Sequence, residues 1–302
     1  MKTLKFKTKA FFIALLMLAG IMPVAGQNVF NPDPKIVTVI GNSAMECIYQ
    51  YTVDAPLKDN PGTKKKETKT TILQANGSMS KFWDWDSYML DSIKFSCSAE
   101  ELATEKIKKL QRVYLGAYSS FFPVVIKNYP NGEITNMDEI YPADYLYTER
   151  KNDRNWRIKE DTMTVCGYLC NKAITSFGGR EWTVWYSPEI AISDGPWKLY
   201  GLPGLILKAQ DATGTHTFGA IGIRKSDRPI YTTKNATQVT VERDVFIKNK
   251  IKSEKGPAYE LPMSMVKRFE MMPSAGGDKT VVINGRRSPK GRKTEYCPLE
   301  LE

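Results

Sequence analysis

GPWKLYGLPGLILKAQD, residues 195–211, is the stretch whose reading decides the fold. Gly195-Pro196 turns the chain. Leu202-Pro203-Gly204-Leu205 has the composition of a type II turn, because proline presets φ at the second position and glycine accepts a positive φ at the third. Gly201 permits a bulge or a close backbone approach. Leu205, Ile206 and Leu207 then form a continuous apolar run, as expected of a short strand buried on both faces. Gly195, Pro196, Gly201, Pro203 and Gly204 therefore read as the structural residues of a corner. Trp197 and Tyr200 combine an apolar body with a polar tip, which suits half-buried positions. Together with Trp185, Tyr186 and Leu202 they are the candidate ligand-binding residues, an aromatic and apolar lip.

The flanking sequence repeats one theme, a short apolar or aromatic run followed by a glycine turn. ECIYQYTVDA (46–55) reads as a strand, and the charged residues 57–67 as a loop. KTTILQANGSMSKFWDWDSY (69–88) reads as strand, turn at Asn76-Gly77, strand. PVVIKNYPNGEIT (123–135) bends at Asn131-Gly132, and the segment around Gly178-Gly179 reads as a further hairpin. GTHTFGAIGIRK (214–225) alternates. A helix is expected over 99–113, because Ser98 and Glu101 have capping-box spacing and Leu102, Ile107 and Leu110 make an apolar stripe. Residues 238–253 are a candidate second helix. Strands at short intervals, without strand–helix alternation, predict a mainly β protein. Its expected form is an antiparallel, curved open sheet or half-barrel covered by one or two helices.

The chain begins with Lys2, Lys5, Lys7 and Lys9, then runs from Ala10 to Val24 without a charge, then reaches the small residues Val24-Ala25-Gly26. That is the layout of a secretory signal peptide over 1–26, cleaved after Gly26. The uncharged run is about 15 residues, short of the roughly 20 needed to span a bilayer. The expected location is periplasmic or secreted. The remainder reads as one β-rich domain over 27–253 and a loosely ordered basic segment over 254–302. Loss of the leader lowers the net charge from +10 to about +6. Basic residues cluster at Lys64-Lys65-Lys66 and at Arg286, Arg287, Lys290, Arg292 and Lys293, without interleaved aromatics, so nucleic acid is not an expected partner.

All five cysteines lie beyond the leader: Cys47, Cys97, Cys166, Cys170 and Cys297. In an oxidising compartment the odd count leaves one unpaired. The expected bridge is Cys166–Cys170, in CGYLC, with Cys47–Cys170 as the competing pair. The spacing is not that of a zinc site.

Catalytic constellations are scarce. His216 is the sole histidine and sits in a strand pattern, so multi-histidine metal sites are excluded and a triad has one candidate base. In FWDWDSY (82–88), Asp84 and Asp86 are expected to share one strand face, with Trp83 and Trp85 on the other. Acids beside aromatics suit a carboxylate hydrolase, and equally an ordinary sheet with one wet face. No glycine-rich phosphate loop follows a strand. No cofactor is expected.

GLPGLI (201–206) resembles the signature of the GLPGLI family of exported proteins from Bacteroidota. The resemblance extends through ILQANGSMSKFWDWDSYMLDS (72–92), YLYTE (145–149) and GYLCNKAITSFGGREWTVWYSPEIAISDGPWKLYGLPGLILKAQD (167–211). CPLELE (297–302) is similar to the family's closing motif, where asparagine usually precedes the proline; Cys297 departs from it. The resemblance implies a Gram-negative envelope setting and assigns no catalytic residue. A sheet like that of periplasmic lipoprotein carriers is a looser likeness. The expected function is a non-catalytic binding or carrier protein for an apolar small molecule or a peptide. The alternatives are an accessory partner of an outer-membrane or periplasmic protein complex and, third, the hydrolase using Asp84 or Asp86. The mature chain is not expected to be an integral membrane protein.

Overall fold

Alternation along the strands builds a two-faced sheet. A computed structural model describes residues 36–116, 123–140, 143–234, 238–255, 269–273, 279–283, 286–287 and 297–301. The leader expected at 1–26 and the lead-in to residue 35 lie outside the described residues. The strands are β1 Ile36–Asn42, β2 Met45–Leu57, β3 Asn60–Ala75, β4 Ser80–Asp84, β5 Val124–Lys127, β6 Glu133–Ile140, β7 Ala143–Arg150, β8 Arg157–Val165 and β9 Tyr168–Phe177. They continue with β10 Arg180–Ser187, β11 Leu205–Asp211, β12 His216–Lys225, β13 Pro229–Lys234, β14 Gln238–Thr240, β15 Phe269–Pro273, β16 Lys279–Ile283 and β17 Arg286–Arg287. The helices are α1 Trp85–Ser96, α2 Ala99–Leu102, α3 Glu105–Gly116 and α4 Arg243–Lys255.

Twelve strands form one open sheet in the order β14-β7-β6-β5-β4-β3-β2-β12-β11-β10-β9-β8. Every pairing is antiparallel except β14 with β7. β1 pairs with β13, and β15, β16 and β17 form a small sheet of their own. Tyr51 on β2 and Tyr147 on β7 line one cavity. They are five strand spacings apart, roughly 24 Å in a flat sheet at about 4.8 Å per strand. The sheet therefore curls, and it remains open between β14 and β8.

The concave face holds the main core. Cys47, Tyr49 and Tyr51 from β2, Leu73 and Ala75 from β3, and Phe82 from β4 point into it, with Trp182, Val184, Leu207 and Phe218 from the other half. The intervening residues Ile72 and Trp83 point to the opposite face, where they pack with Tyr88 of α1 and Tyr231 of β13. One register step separates the two cores, as the period of two requires.

The glycine hairpins form as read. Gly77 and Gly132 sit at φ 86° and 82° in the β3–β4 and β5–β6 turns, and Gly178 and Gly179 at 60° and 69° between β9 and β10. Three local readings are corrected. Residues 60–67, expected as a loop, extend β3, with Val53↔Glu67 through Pro56↔Lys64 in register. This part of the hairpin is exposed, so its lysines mimic loop composition. The helix expected over 99–113 is broken: Ser98 and Glu101 do exchange capping bonds, but α2 stops at Leu102 and α3 restarts under Thr104. The cover on the convex face is instead α1, which packs on β3 and β4, while α4 packs on β7 and β6. No helix among the described residues is long and apolar enough to cross a membrane.

The expected Cys166–Cys170 bridge does not form, and neither does Cys47–Cys170; none of the five cysteines is in a disulfide. Cys166 and Gly167 make the two-residue β8–β9 turn at φ 53° and 84°, leaving Cys166 exposed. Cys170 lies on β9 opposite Met163 with its side chain in the core. The hairpin thus directs the two thiols into different environments. Burial pushes the Cys47 thiol up to about 12.

Candidate functional site

The corner at 195–204 forms the far wall of the concave face. Gly195 lies so close to Ile206 that a Cβ there would meet its Cβ at 2.7 Å. Gly204 (φ +151°) approaches β10 so closely that a Cβ would sit 2.2 Å from the Ser187 carbonyl oxygen. The expected type II turn is replaced by a tighter one: Gly204 N–H donates to Leu202 O at 2.8 Å, and Leu205 N–H turns away to Ile190 O. The demand for glycine at 204 is thus steric as well as conformational. Trp197 itself has φ 50°. The corner is tied down from outside by Trp156 Nε1 donating to Tyr200 O at 2.9 Å and by Tyr200 OH donating to Asn152 O at 2.7 Å. The Arg154 guanidinium lies 3.7 Å from the Phe177 ring and 4.7 Å from the Tyr200 ring.

Of the five expected ligand-binding residues, Trp197 lines a cavity on the concave face. Tyr186, Tyr200 and Leu202 are core residues, and Trp185 packs partly buried against the same core with Lys172 above its ring. The cavity holds about 140 Å³ and is partly open. Tyr51, Tyr147, Trp197 and Phe246 supply rings, and Lys198 and Glu300 supply charge.

Lys198, next to Trp197 in the corner, is the hub. Its side chain is 1% exposed, and Nζ reaches Glu149 on β7 and Glu300 at 2.6 Å each. It also donates to Tyr147 OH at 2.9 Å. Arg243 at the start of α4 adds longer contacts to Glu149 at 3.3 Å and Glu300 at 3.8 Å. Taking a lysine out of water is costly unless it is paired and hydrogen-bonded, and here Glu149, Glu300 and Tyr147 OH supply the partners.

The segment Cys297–Leu301 lies along this hub. Arg180 on β10 donates from Nη2 to Pro298 O at 2.6 Å and from Nε to Leu299 O at 3.1 Å. Its Nη1 is anchored on Asp211 at 2.9 Å. Leu301 N–H donates to Gly178 O at 3.0 Å. Leu299 packs on the main core. His216 lies nearby, with Nδ1 2.8 Å from Tyr51 OH and its backbone N–H on Asp211. Burial, then the Arg180 charge, holds its imidazole down at about 4, so it is neutral at pH 7.

A second, polar recess of about 90 Å³ adjoins Lys127, Asn128, Lys151 and Asp194. Lys127 is buried, pairs with Asp194 and donates to Gly195 O at 2.6 Å, bracing the corner. Burial lowers its pKa, and Asp194 opposes that shift.

Asp84 and Asp86 do not share a strand face, and Trp83 and Trp85 do not share another. β4 ends at Asp84, whose Oδ1 accepts the Ser87 N–H at 2.9 Å and caps α1; Trp85 and Asp86 belong to the helix. Neither acid lines the cavity or the recess. Burial raises the Asp84 carboxyl to about 6. No group of three or more His, Cys, Asp or Glu capable of holding a metal occurs among the described residues. Sequence reasoning missed Lys198, Arg180, Glu149 and Glu300. The only signal was the recurrence of a lysine inside an apolar corner and an acid inside an apolar tail.

The fold and site thus define an open, curled antiparallel sheet with a small mixed cavity and a clamped peptide segment on its concave face. Residues 128–247, less than half of the chain, match the family model of the N-glycanase peptide N-terminal domain. Solved structures of PNGF-II in its P21 and C2 crystal forms are similar to 77% of this chain at 17% identity, with TM-scores of 0.44 and 0.43. The chain spans about a third of their length, 35% and 34%. No curated protein matches the chain.

Proposed function

We propose that this protein is an exported GLPGLI-family binding protein of the cell envelope, non-catalytic, which holds a peptide or small apolar ligand on the concave face of its sheet. The observation that carries this reading is the partly open cavity of about 140 Å³ between Tyr51, Tyr147, Trp197 and Phe246. Ligand pockets for drug-sized molecules run to about 300–1,000 Å³, so a long acyl chain or a large apolar ligand is not the occupant. A dry cavity of about 150 Å³ takes a benzene ring. The ligand is therefore a single ring or one apolar side chain presented by a peptide. The corner braced by Lys127 and Arg154 supplies a rigid wall, which lowers the ordering cost of binding.

Native mass spectrometry of the protein purified from a bacterial periplasm tests this. The expected result is a bound mass of peptide or small-ligand size that is lost on denaturation. A bare chain from every preparation would remove the reading.

A second reading follows from the match at 128–247: the domain serves a protein that removes N-linked glycans. Incubation with an N-glycosylated protein tests it; unchanged electrophoretic mobility of that protein at long times counts against it.

A further inference from the structure

The segment at 297–301 is held in the way a bound peptide is held. Its backbone is gripped at three points, two carbonyls by one arginine and one N–H by Gly178 O. Its acidic side chain enters a prebuilt cationic pocket: Glu300 meets Lys198 at 2.6 Å, Tyr147 OH at 3.3 Å and Arg243 at 3.8 Å. Its apolar side chain, Leu299, packs on the core. The gripping residues come from β10, the β9–β10 turn, the corner, β7 and α4, so no single element builds the site. The grip is also preorganised, since Arg180 is fixed by Asp211, which in turn holds the His216 N–H. Gly178 leaves just enough room: a Cβ there would meet Glu300 Cγ at 3.1 Å. Cys297, Pro298, Leu299 and Glu300 form part of the cavity wall.

We infer that this clamp is a recognition site for a bent Pro-Leu-Glu-Leu segment, and that the chain's own residues 298–301 occupy it reversibly, as a strap that a free peptide of that sequence displaces. The inference rests on the binding reading above, because the clamped segment is one wall of the cavity that carries that reading. A peptide with one carboxylate between two leucines, bent so that two successive carbonyls face the same way, satisfies each group of the clamp: two carbonyls for the Arg180 fork, an N–H for Gly178 O, and a carboxylate for Lys198 and Arg243. A neutral or basic residue at the glutamate position would leave Lys198 with Glu149 as its only carboxylate partner and a cavity wall missing. A tethered segment competes with free peptide at an effective concentration on the order of millimolar, so the intact chain binds added peptide weakly.

The test uses the full chain and a synthetic acetylated peptide, Ser-Pro-Leu-Glu-Leu-Glu, with a Lys-for-Glu control at the position equivalent to 300. In the first arm, alkylation of Cys297 in the wild-type protein is followed by peptide mapping. Millimolar Ser-Pro-Leu-Glu-Leu-Glu is expected to raise the rate at least threefold by displacing the segment, and the control peptide to leave it unchanged. In the second arm, Glu300→Lys places like charge against Lys198 and Arg243 and expels the segment. This variant is expected to bind the fluorescent peptide at least tenfold more tightly than wild type. An unchanged alkylation rate at saturating peptide overturns the inference, whether or not the variant folds. Equal acceleration by both peptides overturns it too. A co-purified adduct in native mass spectrometry, together with no response to the peptide, would leave the binding reading standing and refute this ligand class.

Discussion

The corner at 195–204 and the β4–α1 junction at 80–88 both bury tryptophan and charge, and they treat the charge in opposite ways. Lys198 in the corner has two carboxylates and a phenol within 3 Å. Asp84 at the junction is held by hydrogen bonds from the first turn of α1, the Ser87 N–H first among them, and burial still raises its pKa to about 6. Lys81 at the junction is sandwiched between rings, 3.5 Å from the Trp83 centroid and 3.9 Å from that of Tyr231. A buried charge provided with partners locks a structure, because breaking it strands the partners. A buried charge whose hydrogen bonds do not offset its burial strains it, because neutralising it removes a desolvation penalty. The two regions should therefore respond to charge removal with opposite signs.

The largest effect expected is in the corner backbone. Gly204→Val forces a Cβ into the Ser187 carbonyl, 2.2 Å away at φ +151°. It should cost more than about 4 kcal/mol in urea unfolding, or abolish folding. A variant as stable as the parent would break the corner assignment. Next comes Lys198→Met, which removes the closest cation from Glu149 and Glu300 and leaves them the longer contacts to Arg243. The expected loss is about 3–5 kcal/mol, the usual range when one partner of a buried pair is removed.

At the junction the sign reverses. Asp84→Asn keeps an N-cap acceptor and removes the charge. A raised carboxyl pKa means that the folded state binds more protons than the unfolded state between pH 3.8 and about 6, so the parent loses stability as pH rises through that window. The variant should gain about 3 kcal/mol at pH 7.5 and nothing near pH 3, at about 1.4 kcal/mol per pKa unit. Urea midpoints at the two pH values decide it; destabilisation at pH 7.5 would show that the cap outweighs the burial. The comparison sharpens further through His216. Its pKa is lowered to about 4, so stability is lost as pH falls from 6.5 to about 4, opposite in sign to Asp84. The two slopes oppose each other in the parent, and Asp84→Asn should expose a steeper acid-side fall. The smallest effect belongs to neither region. Arg157→Gln, which breaks the exposed pair with Glu181 at 2.9 Å, should change stability by under about 0.5 kcal/mol.

Much of the sheet was legible in advance, for a local reason. Asn76-Gly77, Asn131-Gly132 and Gly178-Gly179 each close a hairpin between neighbours in sequence, and the positive φ they require is a demand on those residues alone. The junction was misread because Trp83, Asp84, Trp85 and Asp86 alternate as a strand does; the cap on Ser87 N–H ends β4 one residue before the pattern breaks. The lysines at 64–66 concealed a strand, because an exposed hairpin has no buried face to write into its composition.

The sequence by itself determined that the protein is an antiparallel β-sheet, where most of its turns fall, and that 195–211 is a corner. Those are consequences of φ preferences and period-two burial acting over a few residues. The curl that brings β7 beside β2 was decided only by the tertiary structure. So was the choice of Lys198 as a buried hub. So was the clamping of Leu299 by Arg180, 119 residues away along the chain. A lysine, an arginine and a glutamate look the same in sequence whether solvated or paired, and only long-range packing tells them apart by removing the water.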